Sequence, residues 1–133
     1  MRARVVAASV VAALVALGAG CGDDDSGDGL GGAGQPPLDG AAAAGREVAG
    51  DRGCTSCHTA SGDDRSGPTW KGLWGSQVEL EDGTTVTADR DYVVRAIREP
   101  DAEVVDGYAP IMPDVDLSDA EVDELVAYIE ALG

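Results

Sequence analysis

The apolar residues of this chain fall into a few periodic runs separated by glycine, aspartate and proline. The clearest run closes the sequence. In LSDAEVDELVAYIEALG, Val122, Leu125, Tyr128 or Ile129 and Leu132 recur at three and four residues, which places them on one face of a helix. Ser118 and Glu121 supply the S-x-x-E pair that satisfies open N–H groups at a helix start, and Gly133 fits its stop. A second helix is predicted in TADRDYVVRAIREP, with Val93, Val94 and Ile97 sharing a face, Thr87 or Asp89 available as cap, and Pro100 ending it. A third, over DGAAAAGREVAGDRG at 39–53, rests on alanine propensity with Asp39 as cap. Gly45 and Gly50 weaken that helix and predict close packing against a neighbour. Between the first two helices in chain order, QVELEDGTTVTA shifts to a period of two. Val78, Leu80 and Val86 alternate around Asp82-Gly83, a short hairpin signal. There is no internal repeat and no βαβ pattern.

The front of the chain reads differently. Arg2 and Arg4 precede an almost unbroken apolar run from Val5 to Leu17, followed by small residues, so residues 1–20 are expected to be a secretory signal peptide. The run is short for a membrane span. It leads into Cys21 through small residues, which resembles the lipobox of bacterial lipoproteins and implies a lipid on Cys21. The other reading is cleavage by an ordinary signal peptidase with Cys21 left as a free thiol. Residues 21–39 are rich in glycine, aspartate and proline, with only Leu30 and Leu38 as larger apolar groups, and cannot repay the entropy of ordering. They are expected to be a flexible linker with ends about 23 Å apart. One domain then remains, residues 40–133.

Charge narrows the partners. The chain carries 25 acids and 9 bases, a net charge of −16, and removing residues 1–20 takes two arginines, leaving 25 acids against 7 bases, or −18. Such a protein repels nucleic acid and anionic lipid, so its partners should be basic or dock through apolar contact. The stretch DVDLSDAEVDE at 114–124 is expected to be a docking patch for a basic partner, the other acids being solvated surface. Core supply is thin. There is no phenylalanine, and Trp70, Trp74, Tyr92, Tyr108 and Tyr128 are the only aromatics, which predicts that something large and apolar supplements them.

The stretch GCTSCHTA, 53–60, holds the chemistry. C-x-x-C-H can bind a metal, run thiol redox reactions or attach a haem. Cys54 and Cys57 are the only pair, since the third cysteine is Cys21, so a four-thiolate zinc site has too few ligands. Thiol–disulfide chemistry expects the pair after a strand in an α/β setting, and here it follows helical sequence. Haem attachment asks for one more ligand on the far side of the iron. His58 is the only histidine, and of the two methionines Met1 leaves with the signal. Met112 therefore stands as the candidate, in GYAPIMPDV between Pro110 and Pro113.

With these residues in view, 40–133 resembles class I cytochrome c, and is most similar to the cytochrome c domain fused to subunit II of some bacterial cytochrome oxidases. The matching pieces, in order, are GREVAGDRGCTSCH, SGPTWKGLWG, VELEDGTTVTADRDYV, IREPDAEVVDGYAPIMP and VDELVAYIEALG. The resemblance implies an all-α fold of three main helices around one covalently bound haem c, with a short β-hairpin. It implies thioether bonds at Cys54 and Cys57, axial ligands His58 and Met112, and a hydrogen bond from the axial histidine to the Pro68 carbonyl. It also implies that Gly45 and Tyr128 stand where the first and last helices cross. Where the family usually has aromatics, this chain has Val48 or Ala49 and Ala96, space that Trp70 and Trp74 would fill. Trp70, Trp74, Lys71 and Arg95 are candidates to hold the haem propionates.

An iron with both axial positions filled accepts and releases single electrons. The expectation is a membrane-tethered electron carrier, not an enzyme, outside the cytoplasmic membrane. Its donor would be a quinol-oxidising complex or a dehydrogenase, and its acceptor a terminal oxidase or reductase. The alternatives are a haem peroxidase or gas sensor in which Met112 leaves the iron, and a fixed haem subunit of a larger redox complex.

Overall fold

A computed structural model describes residues 37–38 and 40–133, and the expected signal peptide, Cys21, most of the linker and the Asp39 cap lie outside the described residues. Among the described residues the architecture is three α-helices with a two-stranded antiparallel sheet, the arrangement that the resemblance implies. In chain order these are α1 (Gly40–Asp51), β1 (Gln77–Glu79), β2 (Thr85–Thr87), α2 (Arg90–Arg98) and α3 (Asp119–Ala131). Among the described residues no helix is long and apolar enough to cross a membrane.

Each helix starts where side-chain chemistry lets it. Ser118 and Glu121 form the reciprocal box at α3, the Ser118 hydroxyl taking the Glu121 amide and the Glu121 carboxylate taking the Ser118 amide. At α2 the choice between Thr87 and Asp89 falls on Asp89, whose carboxylate accepts from the Tyr92 amide at 2.9 Å. Thr87 is instead spent in the sheet, where it pairs with Gln77 while Val78 faces Val86 and Glu79 faces Thr85. Asp82 closes the hairpin turn by accepting from both the amide and the hydroxyl of Thr84, and Gly83 takes the left-handed conformation, φ 81°, that the turn requires.

Packing follows the predicted faces. Val122, Leu125, Val126, Tyr128, Ile129 and Leu132 of α3 are buried, as are Tyr92 and Val93 of α2, whereas Val94 and Ile97 are half-buried against the same core. Leu38, assigned to the linker by composition, also packs against this core. The main helix contact is between α1 and α3, with α2 crossing α3 more lightly. It turns on Gly45. A Cβ there would lie 1.9 Å from the Glu124 carbonyl oxygen and 2.9 Å from the Tyr128 Cβ, so the two backbones touch where only hydrogen fits. Gly50 has nothing within 4 Å of the same position, so the close approach expected of both glycines belongs to one of them.

Arginines tie the helices at the surface. Arg52, just beyond α1, pairs with Glu121; Arg90 pairs with Asp123; Arg98 pairs with Asp119 at 2.7 Å. Three of the six acids in the 114–124 stretch are thus occupied within the molecule, on α3, and are not free for a partner.

Candidate functional site

Beyond α1 the chain reverses at Gly53, φ 77°, a conformation that a Cβ would strain. Residues Cys54–Ser56 wind into a single 3-10 turn, and the amides of Cys57 and His58 both donate to the Cys54 carbonyl, at 3.2 and 3.0 Å. So tight a turn brings Cys54, Cys57 and His58 to the wall of one cleft. Both thiols are free and half-buried. Burial pushes the Cys54 thiol up from its ordinary value, the reverse of what activates a thiolate for disulfide exchange.

Three constraints fix the His58 ring. Its Nδ1 lies 2.8 Å from the Pro68 carbonyl oxygen. A carbonyl can only accept, so Nδ1 carries the hydrogen and Nε2 keeps its lone pair for a metal. The Gly67 backbone lies over the ring face: a Cβ there would stand 2.7, 2.9 and 3.0 Å from Cε1, Nδ1 and Nε2, near-equal distances that a point above the ring gives and an edge-on point does not. Finally, the Trp70 indole is stacked on the imidazole, centroids 5.0 Å apart and planes 12° from parallel. The 59–70 loop is held to the cysteine turn by its own backbone. The Gly67 amide donates to the Cys57 carbonyl at 3.1 Å, the Trp70 amide to the Thr59 carbonyl at 2.8 Å, and the Thr69 hydroxyl to the same carbonyl at 3.1 Å.

The loop between α2 and α3 also lines this cleft and carries Met112, half-buried. Both ends of this loop are anchored. At its start, the Glu81 amide donates to the Val104 carbonyl and the Asp106 amide to the Glu79 carbonyl, each at 2.9 Å, so that Leu80 bridges Val105 beside the hairpin. At its end, the Arg98 guanidinium reaches the Leu117 carbonyl and the Asp119 carboxylate. Ile111, next to Met112 on the rim, is 61% exposed, the one large hydrophobic so exposed among the described residues.

The cleft encloses a cavity of about 220 Å³, lined as well by Tyr92, Val93 and Ile97 of α2 and by Leu125 and Ile129 of α3. Its donor set suits a covalently attached haem: two free thiols for thioethers, an imidazole nitrogen freed by its tautomer, a thioether sulfur, and a mostly apolar lining. Among the described residues no cluster of histidine, cysteine and carboxylate side chains offers a separate metal site.

Every residue expected at the site within the described region, Cys54, Cys57, His58, Pro68 and Met112, lines this cavity. Of the four propionate candidates only Trp70 does. Arg95 pairs instead with Glu103 at 3.3 Å, and Lys71 is exposed. The space left by Ala96 is on the cavity wall, whereas Trp70 lies against His58 and meets Tyr128 edge-on at 5.9 Å, so its bulk serves the histidine side. Gly67, Tyr92 and Arg52 also line the cavity and were not foreseen; only Gly67 carried a signal, as the residue ahead of Pro68.

The sequence pattern of the cytochrome c family matches residues 42–133. Among solved structures the chain is similar to cytochrome cH from Methylobacterium extorquens, at 26% identity, covering 68% of this chain and 98% of that one with a TM-score of 0.49. No curated protein matches the chain in sequence.

Proposed function

Because the chain belongs to the cytochrome c family, with one covalently bound haem c and electron transfer as its role, we propose that it is a membrane-tethered monohaem carrier working outside the cytoplasmic membrane. When bound, the haem supplies a one-electron ferrous/ferric couple. The chain's residues do the rest. Cys54 and Cys57 would hold the group through thioethers, His58 Nε2 and the Met112 sulfur would supply the ligands to its iron, and the Pro68 carbonyl keeps the imidazole in the tautomer that can ligate. Apolar side chains of α2 and α3 exclude water, which disfavours the extra charge of the ferric state, and a thioether ligand favours the ferrous one. A positive midpoint potential follows.

The observation that carries this reading is the 2.8 Å His58–Pro68 contact together with Met112 in the lining of the same apolar cleft. Attachment through Cys21 is supported by the apolar run Val5 to Leu17 that leads into it. A tether raises the effective concentration of the carrier near membrane partners without a new contact. The donor would be a quinol-oxidising complex or a dehydrogenase, and the acceptor a terminal oxidase or reductase, as the resemblance of the sequence to oxidase-fused cytochrome c domains implies.

The test is a reduced pyridine haemochrome spectrum with intact mass on protein made in cells that install haem c, followed by a redox titration. One covalent haem per chain, a far-red methionine-to-iron band in the ferric protein, a lipid-sized mass on Cys21 and a positive potential are expected. A colourless protein overturns the haem assignment, and a ferric protein without that band overturns Met112 ligation.

A further inference from the structure

The histidine side of the cleft holds an aromatic ring whose placement exceeds what filling space requires. Trp70 is buried, 7% exposed, with its indole only 12° from parallel to the His58 imidazole and centroids 5.0 Å apart. Its other flank meets the Tyr128 ring edge-on, 5.9 Å away and at 78°. Tyr128 belongs to the helix crossing fixed by Gly45. The Trp70 amide is in turn pinned to the Thr59 carbonyl at 2.8 Å, one residue past the histidine. A rigid path therefore runs from the α1–α3 crossing, through Tyr128 and Trp70, to the face of the imidazole.

We propose that Trp70 is a positioning residue that sets the rotation of the His58 ring about its Nε2–iron axis. The inference rests on the reading of His58 as an axial ligand. The Pro68 hydrogen bond fixes which nitrogen faces the cleft and the Gly67 backbone bears on the ring beside Cε1, which together still leave the ring some freedom to rock about the line joining its nitrogens. A stacked indole removes that freedom, because rotation would drive the imidazole edge into the indole plane. It also covers the Nδ1–H···O=C bond from water, which keeps that bond strong. An aliphatic side chain would fill the volume without a plane to stack on.

The test uses the haem-loaded protein with Trp70→Leu and Trp70→Phe. The spread and order of the haem-methyl proton shifts in the ferric state report the imidazole plane, and solvent exchange of the His58 Nδ1 proton in the ferrous state reports its shielding. Trp70→Leu is expected to change the methyl order and to speed that exchange on the order of tenfold, as for other outer contacts to a metal-bound histidine, whereas Trp70→Phe restores both. Unchanged shifts in Trp70→Leu, or equal changes in both variants, overturn the proposal while axial ligation by His58 stands. If the unsubstituted protein lacks a low-spin histidine–methionine spectrum, the ligand reading itself fails and takes the proposal with it. Should Trp70→Leu not fold, cross-relaxation between indole and imidazole protons in the unsubstituted ferrous protein decides: its presence supports the stacking and its absence overturns it.

Discussion

Gly45 of α1 lies so close to the Glu124 carbonyl of α3 that a methyl group on it would stand 1.9 Å from that oxygen. Backbone cannot give way as a side chain does, so Gly45→Ala is expected to destabilise the protein by about 3 kcal/mol or more. Gly50→Ala in the same helix meets nothing within 4 Å and is expected to stabilise by roughly 0.5–1 kcal/mol through helix propensity alone. Denaturant unfolding of the two variants checks this, and similar midpoints would refute the crossing.

Acid should loosen α3 through one residue. Glu121 accepts from Ser118 backbone, from Arg52 and from the Ser118 hydroxyl, and these hold its carboxyl down at about 2. A folded-state value below the unfolded one stabilises the fold above the unfolded value, and that contribution disappears as pH falls through the folded value. The stability difference between the wild type and Glu121→Gln is therefore expected to be full above about pH 5 and to shrink toward zero near pH 2. A difference independent of pH over that window would contradict it.

The methionine loop should depend on a residue outside the cleft. Arg98 of α2 reaches both the Leu117 carbonyl and Asp119, tying down the loop's far end. Arg98→Ala is expected to weaken the far-red methionine-to-iron band and to speed capture of added cyanide by the ferric protein about tenfold. Arg90→Ala, which breaks a pair of two exposed side chains, is expected to leave both unchanged. Identical behaviour of the two variants would count against the tether.

Partner docking, if electrostatic, should fall on the acids that no arginine occupies. Asp114 and Asp116 are exposed beside the rim that carries Ile111, whereas Asp119, Glu121 and Asp123 are paired within the molecule. Electron exchange with a basic partner is expected to slow as salt rises, and Asp114→Asn with Asp116→Asn to flatten that dependence more than Asp123→Asn. Rates insensitive to salt would place docking on apolar contact alone.

Local chemistry was legible in the sequence wherever one residue decides the outcome. Ser118 with Glu121 and Asp82-Gly83 each act over three or four positions, and both produced the expected element. Relations across the fold were not. Nothing in GPTWKGLWG says that Trp70 enters the core beside His58 while Trp74 is only half-buried against it, because that depends on where Tyr128 stands. The bridge between Leu80 and Val105 joins segments whose composition gives no pairing signal. Arg95 looked suited to an anion in the cleft, yet Glu103 opposite it takes the charge, a competition visible only in three dimensions.

The contact of Gly45 with Glu124 also sets an order of events in maturation. It joins residues far apart in sequence, and the cysteine turn lies inside the loop it closes. Closure of so long a loop comes late, after the local turns have formed. Until then Cys54 and Cys57 stand open to the machinery that stitches the porphyrin on. Afterwards the turn is held inside a closed loop of folded chain.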